Sequence, residues 1–216
     1  MATPVVVFDA GLHRALRSAR CACSIHHHQG QHVARIPYPQ TQELSEQVST
    51  RLTQLPPLNI LRMLAHAQAN FIPFLSLGAS ILSDQDLDAK LRELAILRVA
   101  HLTGAHYEWT QHEPIARQCG ASDAQIAAIS AGGTAAVFNE VERHVLQFTD
   151  ELTLDVRVSD ATFQALAQHL PARQLVELTL AASFYGLAAR VMEVFRVELE
   201  PSAGTYSIDA LQPRSR

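Results

Sequence analysis

Residues 92–116 read RELAILRVAHLTGAHYEWTQHEPIA, and the glycine near the middle of that stretch decides how the chain folds. Before Gly104, leucines 87, 91, 94, 97 and 102 recur at helical spacing. Ser83-Asp84 reads as the cap of this helix, with Gln85, Asp86 and Asp88 in its first turn, where negative charge suits the helix dipole. After Gly104 a second helix is predicted from about His106 to Gln118, closed by Gly120 as the C′ residue. A break this short favours packing of the two helices as a hairpin.

The hairpin is chemically dense. Glu108 and His112 are four residues apart and therefore neighbours on one helix face. A carboxylate beside an imidazole is a natural proton-transfer pair, in which the acid orients the ring and raises its basicity. Glu93, on the first helix, reaches the same place if the hairpin closes. Buried next to Glu108 it would tend to hold a proton, because like charges resist joint ionisation. Tyr107 and Trp109 are positioned to wall the site against water. The plainer readings are a solvated Glu108–His112 surface pair and a Glu93 paired with Arg92 or Lys90 in solvent. Glu93, Glu108 and His112 also have the ligand types of a metal site, although acid and base roles account for them without an ion.

Outward from the hairpin the punctuation is regular and all of it is helical. Thr41 to Gln54, ended by Pro56-Pro57, reads as one helix, and Asn59 reads as the cap of the next, with Ile60, Leu61, Leu64, Ala67 and Phe71 in phase. Pro73 either kinks that run or opens a new helix through Leu82. Ser122-Asp123 opens a short helix ending at Gly132-Gly133, Asn139 one through Leu152, Ser159-Asp160 one to about His169, and Pro171 the last, through about Val197. The Ser-Asp starts, and the Leu-rich motifs holding Glu93 and Glu177, suggest two diverged copies. Residues 1–34 read as a flexible extension and residues 201–216 as a tail. The extension holds Arg14, Arg17 and Arg20, a weak organellar-targeting pattern, and groups Cys21, Cys23, His26, His27, His28 and His32 in no spacing typical of a zinc motif.

Composition agrees with an all-α soluble protein: Ala, Leu and Gln abound while aromatics are 6%. A net charge of −4 gives no general attraction to nucleic acid or an acidic membrane. No uninterrupted apolar run approaches the roughly 20 residues that span a bilayer. Three cysteines make no disulfide framework, which points to a reducing compartment and a cytoplasmic protein. Cys119 reads as a small buried apolar residue.

Residues 92–116 resemble the carboxymuconolactone decarboxylase family, within the superfamily that includes the alkyl hydroperoxidase D proteins. The resemblance extends from Arg35-Ile36-Pro37 to Leu199 and takes in LNILRMLAH (Leu58 to His66) and LVELTLAASFYGLAARVM (Leu175 to Met192). It implies a helical fold whose hairpin bears the site, in a domain of residues 35–200, assembled as homotrimers or hexamers. The peroxidase branch carries Cys-x-x-Cys-x-x-x-His with an upstream Glu. Here Glu93 and His112 match that Glu and His, while Ala105 and Glu108 stand at the cysteine positions. A site without a thiolate cannot run thiol chemistry.

What survives is the decarboxylase branch, which implies cofactor-free loss of CO2 from a carboxylated lactone in aromatic-compound catabolism. On that reading His112 shuttles the proton, Glu108 orients it and Glu93 donates or relays. Tyr107 and Trp109 are the substrate-binding candidates, with Arg98 and Arg190 as weaker anion clamps; Arg98 reads first as a structural or intersubunit pair. No metal and no cofactor is expected, and the partners are a small-molecule substrate and further copies of the chain. An isomerase, dehydratase or lactone hydrolase would use the same groups, and a non-catalytic helical oligomer needs none of them.

Overall fold

The computed structural model describes residues 33–201. The N-terminal cysteines, the histidines up to His32 and the tail beyond Pro201 lie outside the described residues. The α-helices are α1 (Glu46–Thr53), α2 (Asn59–Leu64), α3 (Gln68–Ser83), α4 (Ala89–Thr103), α5 (His106–Gln118), α6 (Asp123–Ala128), α7 (Glu140–Asp155), α8 (Asp160–Ala167) and α9 (Ala172–Phe195). Short 3-10 turns at Thr41–Glu43 and Ile129–Thr134 complete the described residues, which contain no strand.

Helix α4 is the axle. Every residue from Arg92 to Ala100 is buried, and a helix buried all round must be surrounded by others. Ile96 and Val99 meet Ile81 of α3 and Ala181 and Phe184 of α9. Ala95 meets Val145 and Phe148 of α7 and Leu178 of α9. Leu94 and Leu97 meet Ala116 of α5, Ile126 of α6 and Leu146 of α7. Three core clusters thus share one helix, and the hairpin partner α5 is held by the third. Gly104 makes the turn at φ 71°, a left-handed conformation that suits glycine.

Several boundaries move from their expected places. Ser83 belongs to the end of α3, where its hydroxyl donates to the Ala79 carbonyl, and Asp88 caps α4 by accepting the Leu91 N–H at 3.1 Å. Thr41 starts only a 3-10 turn, and Ser45 caps α1. The run from Asn59 breaks after Leu64, and Pro73 sits inside α3 without ending it. Glu177 accepts the Leu87 N–H at 2.8 Å and so secures the approach to α4. By length and composition α9 could cross a membrane, which a search for uninterrupted apolar runs overlooks. However, 61% of its most apolar window is buried inside the protein, as in a core helix.

Arg98 is part of this framework. Its guanidinium donates to both carboxylate oxygens of Asp150, at 2.5 and 3.0 Å, and to the carbonyls of Ile129 and Ser130, at 2.7 and 3.0 Å. A Cβ at Gly132 would stand 2.8 Å from its Nη2. With every N–H-bearing nitrogen of the guanidinium engaged, Arg98 ties α4 to α7 and the 129–134 turn, in keeping with its first reading as a structural pair, and the weaker reading as a substrate clamp is corrected. Arg98→Met should cost on the order of 3 kcal/mol in urea unfolding, because it strands Asp150 and two carbonyls. A clamp would instead raise KM and leave stability intact.

Candidate active site

Helix α5 presents one face to a cavity of about 130 Å³, through Tyr107, Glu108, Gln111, His112 and Ile115. The spacing of one and three between these positions is that of a single helical stripe. The opposite wall is apolar and comes from α3 and α9, with Phe74, Leu82, Phe184 and Met192 among its residues. Gly78 belongs to this wall because a Cβ there would stand 2.9 Å from Phe184 Cζ.

Behind the stripe lies a chain of polar contacts. Glu93 is fully buried on α4; its Oε1 accepts from Arg92 Nε at 2.9 Å, and its Oε2 lies 2.9 Å from His112 Nδ1. A carboxylate paired with a guanidinium accepts here, which puts a proton on Nδ1 and leaves Nε2 as the ring nitrogen not held by Glu93. Tyr185 of α9 meets the imidazole edge-on, with ring centroids 4.5 Å apart at 80°. The phenol of Tyr185 is held well above its ordinary pKa by burial and, secondarily, by the Glu93 charge. The ring is thus clamped by a carboxylate on one side and an aromatic edge on another.

Within the site, Glu108 is the polar side chain left unsatisfied. It is 2% exposed, and neither carboxylate oxygen has a hydrogen-bond partner. Burial pushes its pKa well above that of an ordinary glutamate, which favours the neutral carboxylic acid in this lining position. The two acids therefore exchange the parts expected from the sequence. Glu93 orients the imidazole, and Glu108, with no bond to His112, holds the proton. Adjacency at i and i+4 gives nearness, but the hairpin brings a better-aimed acid from the other helix.

The remaining candidates divide. Tyr107 does wall the cavity, its hydroxyl donating to Glu200 Oε1 at 2.6 Å. Trp109 packs with the Leu94–Leu97 cluster and donates Nε1–H to Glu113 at 3.0 Å, away from the cavity lining. Residues two apart on a helix point to different sides, so Tyr107 and Trp109 could not both face one site. Arg190 is exposed and donates to the Gly186 carbonyl of its own helix at 2.6 Å, which corrects its role as anion clamp. Both Glu93 oxygens are engaged and one faces a guanidinium, so the Glu93, Glu108 and His112 set is ill suited to a cation. Cys119 is a half-buried thiol whose pKa burial and the Glu93 charge both raise, the reverse of an activated thiolate. Tyr185, Arg92, Phe184 and Glu200 were not read from the sequence as site residues; only their places in the fold reveal them.

The model of the carboxymuconolactone decarboxylase family matches residues 71–151, a segment holding Glu93, Glu108 and His112. The match covers the hairpin and its neighbouring helices, and with it the chain resembles that family over this segment. No curated protein matches it. Among solved structures it is similar to an uncharacterised peroxidase-related protein with an alkylhydroperoxidase AhpD core from Ralstonia eutropha JMP134. That match has a TM-score of 0.68 at 19% identity and covers 78% of this chain and 93% of that one. It is also similar to a putative antioxidant defence protein AhpD from Agrobacterium tumefaciens (TM-score 0.59, 23% identity, 63% and 97% coverage). A third likeness is to the debrominase Bmp8, solved with 2,3,4-tribromopyrrole (TM-score 0.61, 18% identity, 72% and 85% coverage). At these identities the neighbours establish the helical fold alone.

A neutral buried acid sets a pH dependence. With its folded pKa raised, Glu108 contributes most to stability below the ordinary carboxylate pKa of about 4.3. That contribution is lost as pH rises toward the raised folded value. Glu108→Gln keeps the shape and removes the titration. Denaturant unfolding should therefore show the variant gaining on the native protein between pH 5 and pH 8 (roughly the window above an ordinary carboxylate). A constant difference across that window would mean that Glu108 is not held neutral.

Proposed function

We propose that this chain is a cofactor-independent acid–base enzyme that decarboxylates a small carboxylated lactone or related organic acid. The observation that carries the reading is the Glu93–His112 bond at the edge of a largely apolar cavity, beside the unpartnered acid Glu108. As the bond to the carboxylate breaks, CO2 leaves and its bonding electrons spread into the conjugated lactone carbonyl. An apolar wall favours that step, since it solvates a delocalised charge better than a localised carboxylate. The Glu108 O–H donates to the carbonyl oxygen where charge gathers. Beforehand His112 takes the proton of the substrate's carboxylic acid at Nε2, Glu93 stabilises the imidazolium so formed, and that proton then passes to the distal carbon, which leaves the ring neutral again. Thiol peroxidase chemistry finds no support, because Ala105 and Glu108 occupy the cysteine positions and the Cys119 pKa is raised.

One observation favours a second reading. Among the described residues no Lys or Arg lines the cavity, which suits an uncharged substrate isomerised, dehydrated or hydrolysed by the same groups. The debrominase neighbour, solved with a small halogenated ring, is in keeping with such a ligand. A panel of carboxylated lactones assayed for CO2, run beside their decarboxylated analogues assayed by absorbance, separates the two readings. In either case His112→Ala should lower kcat by about 10²–10⁴-fold. Adding Glu93→Gln to it should cost far less than the sum of the singles. Full activity in folded His112→Ala would refute the mechanism, and no turnover of any panel member would favour a binding protein.

Assembly is proposed as a homotrimer or hexamer. The support is a seam on α9 where Val176, Leu180, Leu187 and Val194 are exposed at steps of 4, 7 and 7 residues. That repeat is the a/d spacing of helices that pack against a partner. Leu180→Glu with Leu187→Glu should lower the mass measured by light scattering, whereas a monomeric native protein at micromolar concentration would contradict the proposal.

A further inference from the structure

Away from the cavity, Glu140 and His144 of α7 meet His169, just past the end of α8. One ligand-type atom from each lies within 4.8 Å of the other two. The His144 and His169 rings are stacked, with centroids 5.5 Å apart at 26°, and Glu140 Oε1 is 3.9 Å from His169 Nε2. The helix dipole accounts for an acid in the first turn of α7. It does not account for two imidazoles beside that acid, which would repel each other if both were protonated.

The backbone under the three residues is rigid. Val141 and Val145, which flank Glu140 and His144, share one core cluster with Leu166 and Leu170, which flank His169. The His169 N–H is also tied to the Leu166 carbonyl at 3.0 Å. The positions are therefore preset while the side-chain ends stay free to rotate. With metal–nitrogen bonds of about 2.0–2.1 Å, tetrahedral donors stand roughly 3.4 Å apart. Glu140 and His169 are exposed and His144 is half-buried, and a shift of an ångström or so at their side-chain ends closes the gap.

We infer that Glu140, His144 and His169 form a surface site for a divalent late transition-metal ion, with zinc matching the two-imidazole, one-carboxylate set. Three protein ligands leave one position for water. Bound there, the ion links the start of α7 to the segment that leads into α9.

The test is zinc titration of the full-length chain against a chromophoric chelator, alongside thermal unfolding. The control is a background with Cys21→Ser, Cys23→Ser and His26, His27, His28 and His32 each changed to Ala, because the N-terminal Cys and His residues also offer ligands. One equivalent should bind in that background and raise Tm. Affinity should fall at least 10-fold in His144→Ala and in His169→Ala, with the circular dichroism spectrum unchanged. Glu140→Gln should weaken binding less, since an amide oxygen is a poorer ligand than a carboxylate. Absence of binding in the background, or binding that survives His144→Ala with His169→Ala, would overturn the inference.

Discussion

Everything at the candidate site depends on one buried contact, the bond between Glu93 of α4 and His112 of α5. Two polar side chains with almost no exposed surface are costly inside a core unless each satisfies the other. Arg92 meets the rest of that demand at the second Glu93 oxygen. The contact needs two helices crossing within hydrogen-bond reach, so it presupposes the left-handed turn at Gly104. It also needs the three clusters that hold α4 from every side. Its effect is to fix one ring nitrogen and leave the other unheld by Glu93, at the edge of a cavity built mostly of apolar side chains.

Glu108 is the opposite case. A buried carboxyl without a partner lowers stability, and folds retain few of them. Its neighbours on the helical stripe each find a contact: Tyr107 and Gln111 with Glu200, His112 with Glu93. The unmet group points to where a ligand would complete the network. An acid kept neutral by burial can donate a hydrogen bond at neutral pH, which an exposed glutamate cannot.

The helices were legible because their signals are local. Gly104, Gly120, Ser122, Asn139 and Ser159 each stand at the end they predict, and the α5 range matches its expectation. The cap at Ser83-Asp84 failed because Asp88, four residues on, also caps well and only packing against α9 chooses between them. At the site, the residue types were readable and their pairing was not. Spacing along one helix made Glu108 the natural companion of His112, whereas the true partner is 19 residues away across the hairpin. Arg98 and Arg190 show the same limit. A sequence reveals a cation without showing that four acceptors, or its own helix, already hold it.

Glu200 lies at the far end of the described chain yet reaches the middle of the site. Its carboxylate accepts the Asn59 N–H at 2.5 Å and the Tyr107 hydroxyl at 2.6 Å, and Gln111 donates to its other oxygen at 3.2 Å. The partners are 141, 93 and 89 residues upstream. A chain emerging from the ribosome N-terminus first has therefore made the hairpin long before it has the residue that braces Tyr107 and Gln111. Until α9 has followed, α4 has no cover on one side and the cavity lacks a wall. The nascent protein must carry that apolar surface uncovered until α9 has been made, so the pocket is finished by the last helix of the described chain and not by the hairpin that bears its polar groups.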